Sequence, residues 1–372
     1  MRIGVPKEIK DNEYRVGLTP SSVAELVQHG RSVLVERGAG LGAGFNDDAY
    51  EASGASLVER ADSVFEGADL IVKVKEPLAA ERKMLRRGQT LFTYLHLAPD
   101  LELTQDLLLS GANCIAYETV TSSDGGLPLL TPMSEVAGRL APQIGAHFLE
   151  KQNGGRGVLL AGAPGVPAAE VVILGAGVVG GSAAAIALGM GASVIVADRN
   201  PEALRRLDAR FRGAARTLFS TRTAIAEVVK RADLLICAVL LPGARTPKLI
   251  SFGMLATMKP GAVIVDVAID QGGCCESSRP TSHSNPTFVS EGVVHYCVPN
   301  MPGVVPRTSS YALNNATLPF VLAIAEKGWR RALREDAGLR AGLQISAGEV
   351  VSPAVAQAHG LRCASIATAL EE

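Results

Sequence analysis

The stretch Val171–Asp198 reads VVILGAGVVGGSAAAIALGMGASVIVAD, and its parse decides the fold. It opens on a short β-branched apolar run, Val171-Val172-Ile173-Leu174, of the kind a buried strand needs. Gly175-Ala176-Gly177-Val178-Val179-Gly180 follows, with the spacing G-x-G-x-x-G. Then come a helix candidate of small residues and a second strand, Ser193 to Ala197, that ends at Asp198. Each glycine answers a separate need. At Gly175 the chain turns sharply from strand to helix; at Gly177 a side chain would keep a pyrophosphate from the backbone; at Gly180 the helix lies close to the sheet. The free N–H groups and positive dipole end of that helix suit phosphate. Asp198 stands where an acidic residue accepts hydrogen bonds from an adenine ribose. Its carboxylate would repel a 2′-phosphate and so favours NAD over NADP, while Arg199 beside it can accept such a phosphate.

The glycine spacing alone says little in a chain this rich in Gly and Ala; the whole set of strand, glycines, helix, strand and acid says much more. A membrane span is the rival parse, because no charge interrupts Val171 to Ala197. Six glycines break that run, and its ends are β-branched while its middle is Ala/Gly-rich, which fits strand–helix–strand.

At 372 residues the chain has room for two domains, and 47% apolar against 20% charged residues provides for a large core. A net charge of −1 argues against nucleic acid or an anionic membrane as the main partner. The six cysteines show no C-x-x-C pair and no zinc spacing. No metal is therefore expected, and Cys274-Cys275 reads as loop thiols and not as a disulfide or metal site. The chain opens on a strand-like segment followed by Lys7, Glu8 and Lys10, so no signal peptide is expected, and cytoplasmic, reduced thiols are the default.

Ahead of the glycine loop, strands are expected at Arg2–Pro6, Ser32–Glu36, Leu70–Lys75, Thr90–His96 and Cys114–Glu118, with helices between them and a polar, irregular segment, Lys7 to Thr19, that carries Arg15. Alternating strands and helices imply a parallel sheet with helices around it. Ligands in such sheets bind beyond the carboxyl ends of the strands, where Lys75 and His96 fall. Taken singly, each reads as an ordinary solvated or core side chain; taken as a pair in a nucleotide-binding chain, they become functional candidates. Leu127–Met133 reads as a linker before a helix that starts near Ser134, capped by Ser134, with Gly138 and Ala141 as small packing positions and Pro142 inside it.

After Asp198 the alternation continues. A short strand ends at Ser220, a buried strand spans Leu234–Leu240, and Pro242-Gly243-Ala244-Arg245 is a turn. The strand Ala262–Val267 runs into Asp270, which places that carboxylate at a strand end facing the nicotinamide crevice. A last strand, His295–Val298, precedes Asn300, and the helical tail from Ser310 returns to the first domain.

Long strings in this chain resemble the alanine dehydrogenase/pyridine nucleotide transhydrogenase family, and alanine dehydrogenase most of all. They are Gly4-Val5-Pro6-Lys7-Glu8 with Arg15-Val16 and Thr19-Pro20, Val72 to Pro77, Tyr94 to Ala98, Leu130 to Gly138, Val263 to Gly273 and Asn300-Met301-Pro302-Gly303. The resemblance implies an α/β fold of two Rossmann-like parallel-sheet domains, with the active site in the cleft between them. The catalytic domain would be discontinuous, 1–128 and 308–372, and the NAD-binding domain would span 129–307. It implies reversible oxidative deamination of L-alanine to pyruvate and ammonia with NAD, with glyoxylate-to-glycine reductive amination as a related activity. Arg15 and Lys75 would bind the substrate carboxylate, His96 would be the general acid/base, and Asp270 would help activate water. Ser134, Gly175, Gly177, Val178, Val179, Gly180, Asp198, Ser220, Val239, Val267 and Asn300 would contact NAD. A homohexamer is implied in the same way.

The chemistry agrees with these roles. A carboxylate calls for cations, and an arginine fork adds geometry to charge. Attack of water on an iminium calls for a group that titrates near neutral pH. Arg199, Cys274-Cys275 and Pro299 depart from the family pattern without removing a needed group. The alternative reading is the nucleotide-binding, hydride-transferring subunit of a transhydrogenase, which would not need His96, Lys75 and Arg15 around a small carboxylate.

Overall fold

The computed structural model describes residues 1–239 and 246–371. The turn expected at Pro242–Arg245, and Leu240 before it, lie outside the described residues. In chain order the strands are β1 Arg2–Val5, β2 Ser32–Glu36, β3 Ser56–Val58, β4 Leu70–Val72, β5 Thr90–Thr93 and β6 Asn113–Ala116. Then follow β7 Glu170–Leu174, β8 Ser193–Asp198, β9 Ala215–Phe219, β10 Leu234–Cys237, β11 Val263–Asp266, β12 Thr287–Ser290 and β13 Val293–Tyr296, and finally β14 Leu343–Ser346 and β15 Glu349–Val350.

These strands form two sheets in two compact units, residues 1–133 with 303–372, and residues 134–302. In the first unit the order is β15-β14-β6-β5-β4-β1-β2-β3. In the second it is β12-β13-β11-β10-β7-β8-β9. Both contain the same doubly wound run. The chain starts in the middle, winds outward one way, then returns and winds the other way. The switch point lies between β1 and β4 in the first unit and between β7 and β10 in the second. All pairs inside these runs are parallel, because helical crossovers join successive strands.

The edges depart from the all-parallel expectation. β12 pairs antiparallel with β13, and β14 pairs antiparallel with both β6 and β15. These are hairpins or a returning tail, so no crossover helix forces them parallel. β3, β12, β14 and β15 are short or polar enough that their apolar runs do not stand out in the sequence.

The central strands of both sheets are buried on both faces. β4, β5, β6, β10, β11 and β13 show no exposed position. One core of the second unit packs Val172, Ile195, Ile225, Leu235 and Ile264 around the cysteines of β10 and the loop after β11. The glycine-loop stretch is strand, helix Val178–Gly189 and strand, and among the described residues no helix is long and apolar enough to cross a membrane.

Boundaries near the site needed correction. The helix expected to begin at Ser134 begins at Thr131 and continues through Pro142 to Phe148. Ser134 therefore sits in its first turn and does not cap it. Small residues here serve packing: a Cβ on Gly138 would lie 2.3 Å from the carbonyl oxygen of Val179, and Ala141 is fully buried.

Candidate active site

The candidate site of the first unit forms where its sheet switches direction. β4 ends at Val72 and β5 at Thr93, so Lys75 and His96 lie on the three-residue extensions beyond these strands, not in them. Lys73 interrupts the expected strand for a physical reason. Its side chain is wholly buried and its ammonium donates to Glu81 at 2.6 Å and to Glu8 at 3.1 Å. Burial pushes the Glu8 carboxyl up, against the pull of Lys73. Glu8 Oε1 also accepts the backbone N–H of Val74 at 2.6 Å and, more loosely, that of Lys75 at 3.4 Å. Glu8 thus holds the N–H groups of Val74 and Lys75, while the Lys73 N–H and the Val74 carbonyl still pair with Phe92 and Tyr94 on the β5 side.

Arg15 comes from the irregular segment after β1. That segment passes directly over the end of β4, since a Cβ on Gly17 would lie 2.4 Å from the carbonyl oxygen of Val72. Arg15 is buried, and Glu13 holds its guanidinium in a fork, with Nε–Oε1 at 2.6 Å and Nη2–Oε2 at 2.5 Å. Burial alone would weaken its charge, but the Glu13 fork holds the guanidinium above its ordinary value. Lys75 is pulled below the ordinary lysine range, first by burial and then by the charge of Arg15. Two cations at one strand-end site, one of them destabilised by the other, suit an anion with room for both.

His96 is exposed and has a φ of +51°, a left-handed conformation rare for a residue with a side chain. Glu118, beyond the end of β6, accepts its backbone N–H at 2.7 Å and that of Leu95 at 3.2 Å, which secures this turn. The imidazole stacks on Tyr94 at 5.9 Å between ring centroids, and Tyr94 donates its hydroxyl to the Leu129 carbonyl at 2.5 Å. Glu76 lies beside His96, with Oε2 at 3.7 Å from Nδ1. Glu8, Glu13, Lys73, Glu76, Glu81 and Glu118 were not among the residues singled out from the sequence. The one available signal was a charge immediately after a strand, as in Val72-Lys73-Val74-Lys75-Glu76.

In the second unit Gly175 and Gly180 meet the backbone needs that their spacing implied. Gly175 has a φ of +109°, and a Cβ there would meet the Ala238 carbonyl oxygen at 2.6 Å. A Cβ on Gly180 would lie 1.8 Å from the Gly175 carbonyl oxygen. A Cβ on Gly177 would meet nothing within 4 Å. Gly175 and Gly180 are therefore needed by the fold, whereas Gly177 leaves open space at the start of the helix Val178–Gly189, which has no side-chain cap. Open space and free N–H groups at a helix N-terminus fit the pyrophosphate of a dinucleotide. Val178 is exposed at this mouth, Val179 is buried behind it, and the backbone nitrogen of Val239 would lie 3.1 Å from a Cβ on Gly175. Asp198 accepts the Ala176 N–H at 2.6 Å and the Asn200 N–H at 2.7 Å, and its carbonyl accepts the N–H of half-buried Ser220 at 2.9 Å. The acid at the end of β8 is thus tied to the glycine loop and to the end of β9.

Asp270 lies in the 3-10 turn Val267–Gln271 that follows β11, and its side chain accepts the N–H of Asn300 at 3.2 Å. Asn300 also has a positive φ, +54°. Buried Asp266 anchors the turn, accepting from Ala268 N–H, Cys274 N–H and the Ser278 hydroxyl. The loop-thiol expectation holds for Cys275, a free though fully buried thiol, and fails for Cys274. Cys274 is disulfide-bonded to Cys237 of β10, also against the expectation of reduced thiols, and Cys275 Sγ lies 3.9 Å from Cys237 Sγ. The sulfur and oxygen atoms of Cys237, Asp266, Cys274 and Cys275 lie within 4.8 Å of one another. With two sulfurs bonded and Asp266 accepting three hydrogen bonds, this group reads as a core crosslink.

A parallel-sheet unit with a phosphate-binding glycine loop, joined in one chain to a unit bearing strand-end cations and a histidine, defines a dinucleotide-binding α/β enzyme. Family comparison sharpens that class. The Alanine dehydrogenase/PNT N-terminal domain family matches residues 4–137 and the C-terminal domain family matches residues 141–353. The chain belongs to the alanine dehydrogenase/PNT family. It is 58% identical over 361 residues to an alanine dehydrogenase of Halomonas elongata, covering 97% of each chain. Among solved structures it is similar to an L-alanine dehydrogenase, with a TM-score of 0.94 at 52% identity, covering 97% of this chain and 99% of that one. It is also similar to a transhydrogenase from Sinorhizobium meliloti, with a TM-score of 0.83 at 28% identity, covering 95% of this chain and all of that one.

Proposed function

We propose that the protein catalyses the reversible reaction of L-alanine, NAD⁺ and water to pyruvate, ammonium, NADH and a proton. The observation that carries this reading is the group Arg15, Lys75 and His96 at the switch point of the first sheet, in a chain similar from end to end to alanine dehydrogenases. Arg15, rigid in its Glu13 fork, and Lys75 take the amino-acid carboxylate. His96 removes the proton from the attacking water or the amino group and returns it in the reverse direction. Asp270, in the turn after β11, is assigned the support of that transfer as a carboxylate.

The glycine loop, Gly175 to Gly180, holds the pyrophosphate. Asp198 and Ser220 hold the adenosine, and Ser134, Val239, Val267 and Asn300 hold the rest of the dinucleotide. The nicotinamide, when bound, accepts hydride from the substrate Cα. Asp198 favours NAD over NADP, because a carboxylate would face the 2′-phosphate.

The test is NADH formation from L-alanine, with glycine, L-serine and NADP⁺ as controls. Turnover that requires L-alanine and NAD⁺ is expected. NADH binding without turnover of any amino acid would instead favour a transhydrogenase-type role, as in the transhydrogenase to which the chain is similar.

A further inference from the structure

Glu76 is a half-buried carboxylate with a divided environment. Lys10 pairs with its Oε1. Its Oε2 is buried and accepts no hydrogen bond among the described residues. His96 Nδ1 lies 3.7 Å from Oε2, just beyond hydrogen-bond reach. An orphaned buried acceptor is costly, so something must satisfy it during the working cycle.

The surroundings leave the His96 ring as the part that can move. Pro77 biases Glu76 toward extended backbone. Glu118 holds the His96 backbone by its N–H, and the ring is stacked on Tyr94 with an interplanar angle of 23°. The imidazole is exposed, so a small rotation about its own side-chain bonds brings Nδ1 onto Oε2. The other charges here are Lys10 on Glu76, Lys75 next along the chain, and Arg15 in its Glu13 fork; Glu118 is engaged with backbone N–H groups. Burial works to raise the Glu76 carboxyl, but His96 and Lys10 outweigh it and hold it down to about 2, so Glu76 stays charged throughout the working range.

We infer that Glu76 is a positioning residue for His96: it accepts Nδ1–H, which fixes the tautomer and leaves Nε2 to exchange the proton with substrate. The inference rests on the reading of His96 as the proton carrier. A carboxylate on the far nitrogen orients a catalytic imidazole and stabilises its protonated form. Here Lys10 competes for the same carboxylate, so the two neighbours act on the ring with opposite sign.

The experiment is the pH profile of kcat/KM for L-alanine in wild type, Glu76→Gln, Glu76→Asp and Lys10→Met, with His96→Ala alongside. Glu76→Gln is expected to move the acid limb to lower pH by about half to one unit. It should also lower kcat by about tenfold or more with KM for alanine changed less than about threefold. Lys10→Met is expected to move the limb the opposite way, and Glu76→Asp to recover at least part of the wild-type position. Superimposed profiles, or shifts of the same sign in Glu76→Gln and Lys10→Met, overturn the inference. Should Glu76→Gln fail to fold, Lys10→Met decides alone, since Lys10 is a half-exposed surface side chain; no shift, or a shift to lower pH, overturns it. Full activity in His96→Ala would instead remove the reading on which the inference rests.

Discussion

The two switch points share one topology and use opposite materials. Between β7 and β10 the site is made of backbone and of missing side chains: a glycine that must turn, one that must pack, and one that leaves space. Between β1 and β4 it is made of buried charge: Arg15 in the Glu13 fork, and Lys73 between Glu8 and Glu81. A dinucleotide pyrophosphate can be held by N–H groups that any sequence possesses, so the constraint falls on residue size. A small zwitterionic amino acid offers only its charges, so the constraint falls on counter-charges, and buried Arg15 is held by a partner of its own before substrate arrives.

The sharpest way to break this contrast is to remove one counter-charge. Arg15→Met leaves Glu13 buried without its fork partner and should cost about 3–5 kcal/mol of stability, read by denaturant unfolding. Alanine binding should fall with it. A stability loss below about 1 kcal/mol would mean that the charges of the first site are not structurally coupled in the way described.

On the glycine side the contrast predicts a split between two residues three positions apart. Gly180→Ala forces a Cβ into the Gly175 carbonyl and should lower stability by about 1–3 kcal/mol. The Cβ of Gly177→Ala meets nothing within 4 Å, so its melting temperature should match wild type while NADH affinity falls by about tenfold. Equal melting losses in both variants would show that the space at Gly177 serves the fold and not a ligand.

This difference in materials also explains what was legible in the sequence. Glycines that answer backbone geometry recur at fixed spacing, so Gly175, Gly177, Gly180 and Asp198 could be read from their order. That both sheets are largely parallel followed from the alternation of strands and helices, whereas their Rossmann-like order came from the family resemblance. Lys75 and His96 could be placed near strand ends, but the strands were read too long, because Lys73 looked like a strand residue and not like the centre of a buried ion-pair group. Glu13, Glu76 and Glu118 were missed because each acts on a residue brought near by folding or by a turn, and periodicity carries no record of that. Cys274 and Cys275 follow a Gly-Gly pair and read as loop, yet Asp266 folds that loop inward onto β10. The antiparallel edges were missed because hairpins and a returning tail leave no crossover to count.

The smallest expected effect concerns Lys75. Burial and then Arg15 hold it below the ordinary lysine value of 10.5. Between its lowered native value and 10.5 the unfolded chain binds the proton that the folded chain has released, so this residue's contribution to stability rises with pH across that window. Below the window the folded protein bears the cost of a buried charge. Lys75→Met should therefore raise the melting temperature near neutral pH by about 2 °C, with the gain shrinking as pH climbs toward 10.5. A gain that stays constant with pH would assign it to packing. Alanine turnover should fall in the same variant.

The most direct test of the account is a paired measurement on His96→Ala: L-alanine-dependent NADH formation, and NADH binding by fluorescence. The account predicts that kcat falls by about 10²–10⁴-fold while NADH binds as in wild type, because proton transfer belongs to the first unit and the dinucleotide to the glycine loop of the second. Turnover within a few-fold of wild type would contradict it and take the proton chemistry away from His96.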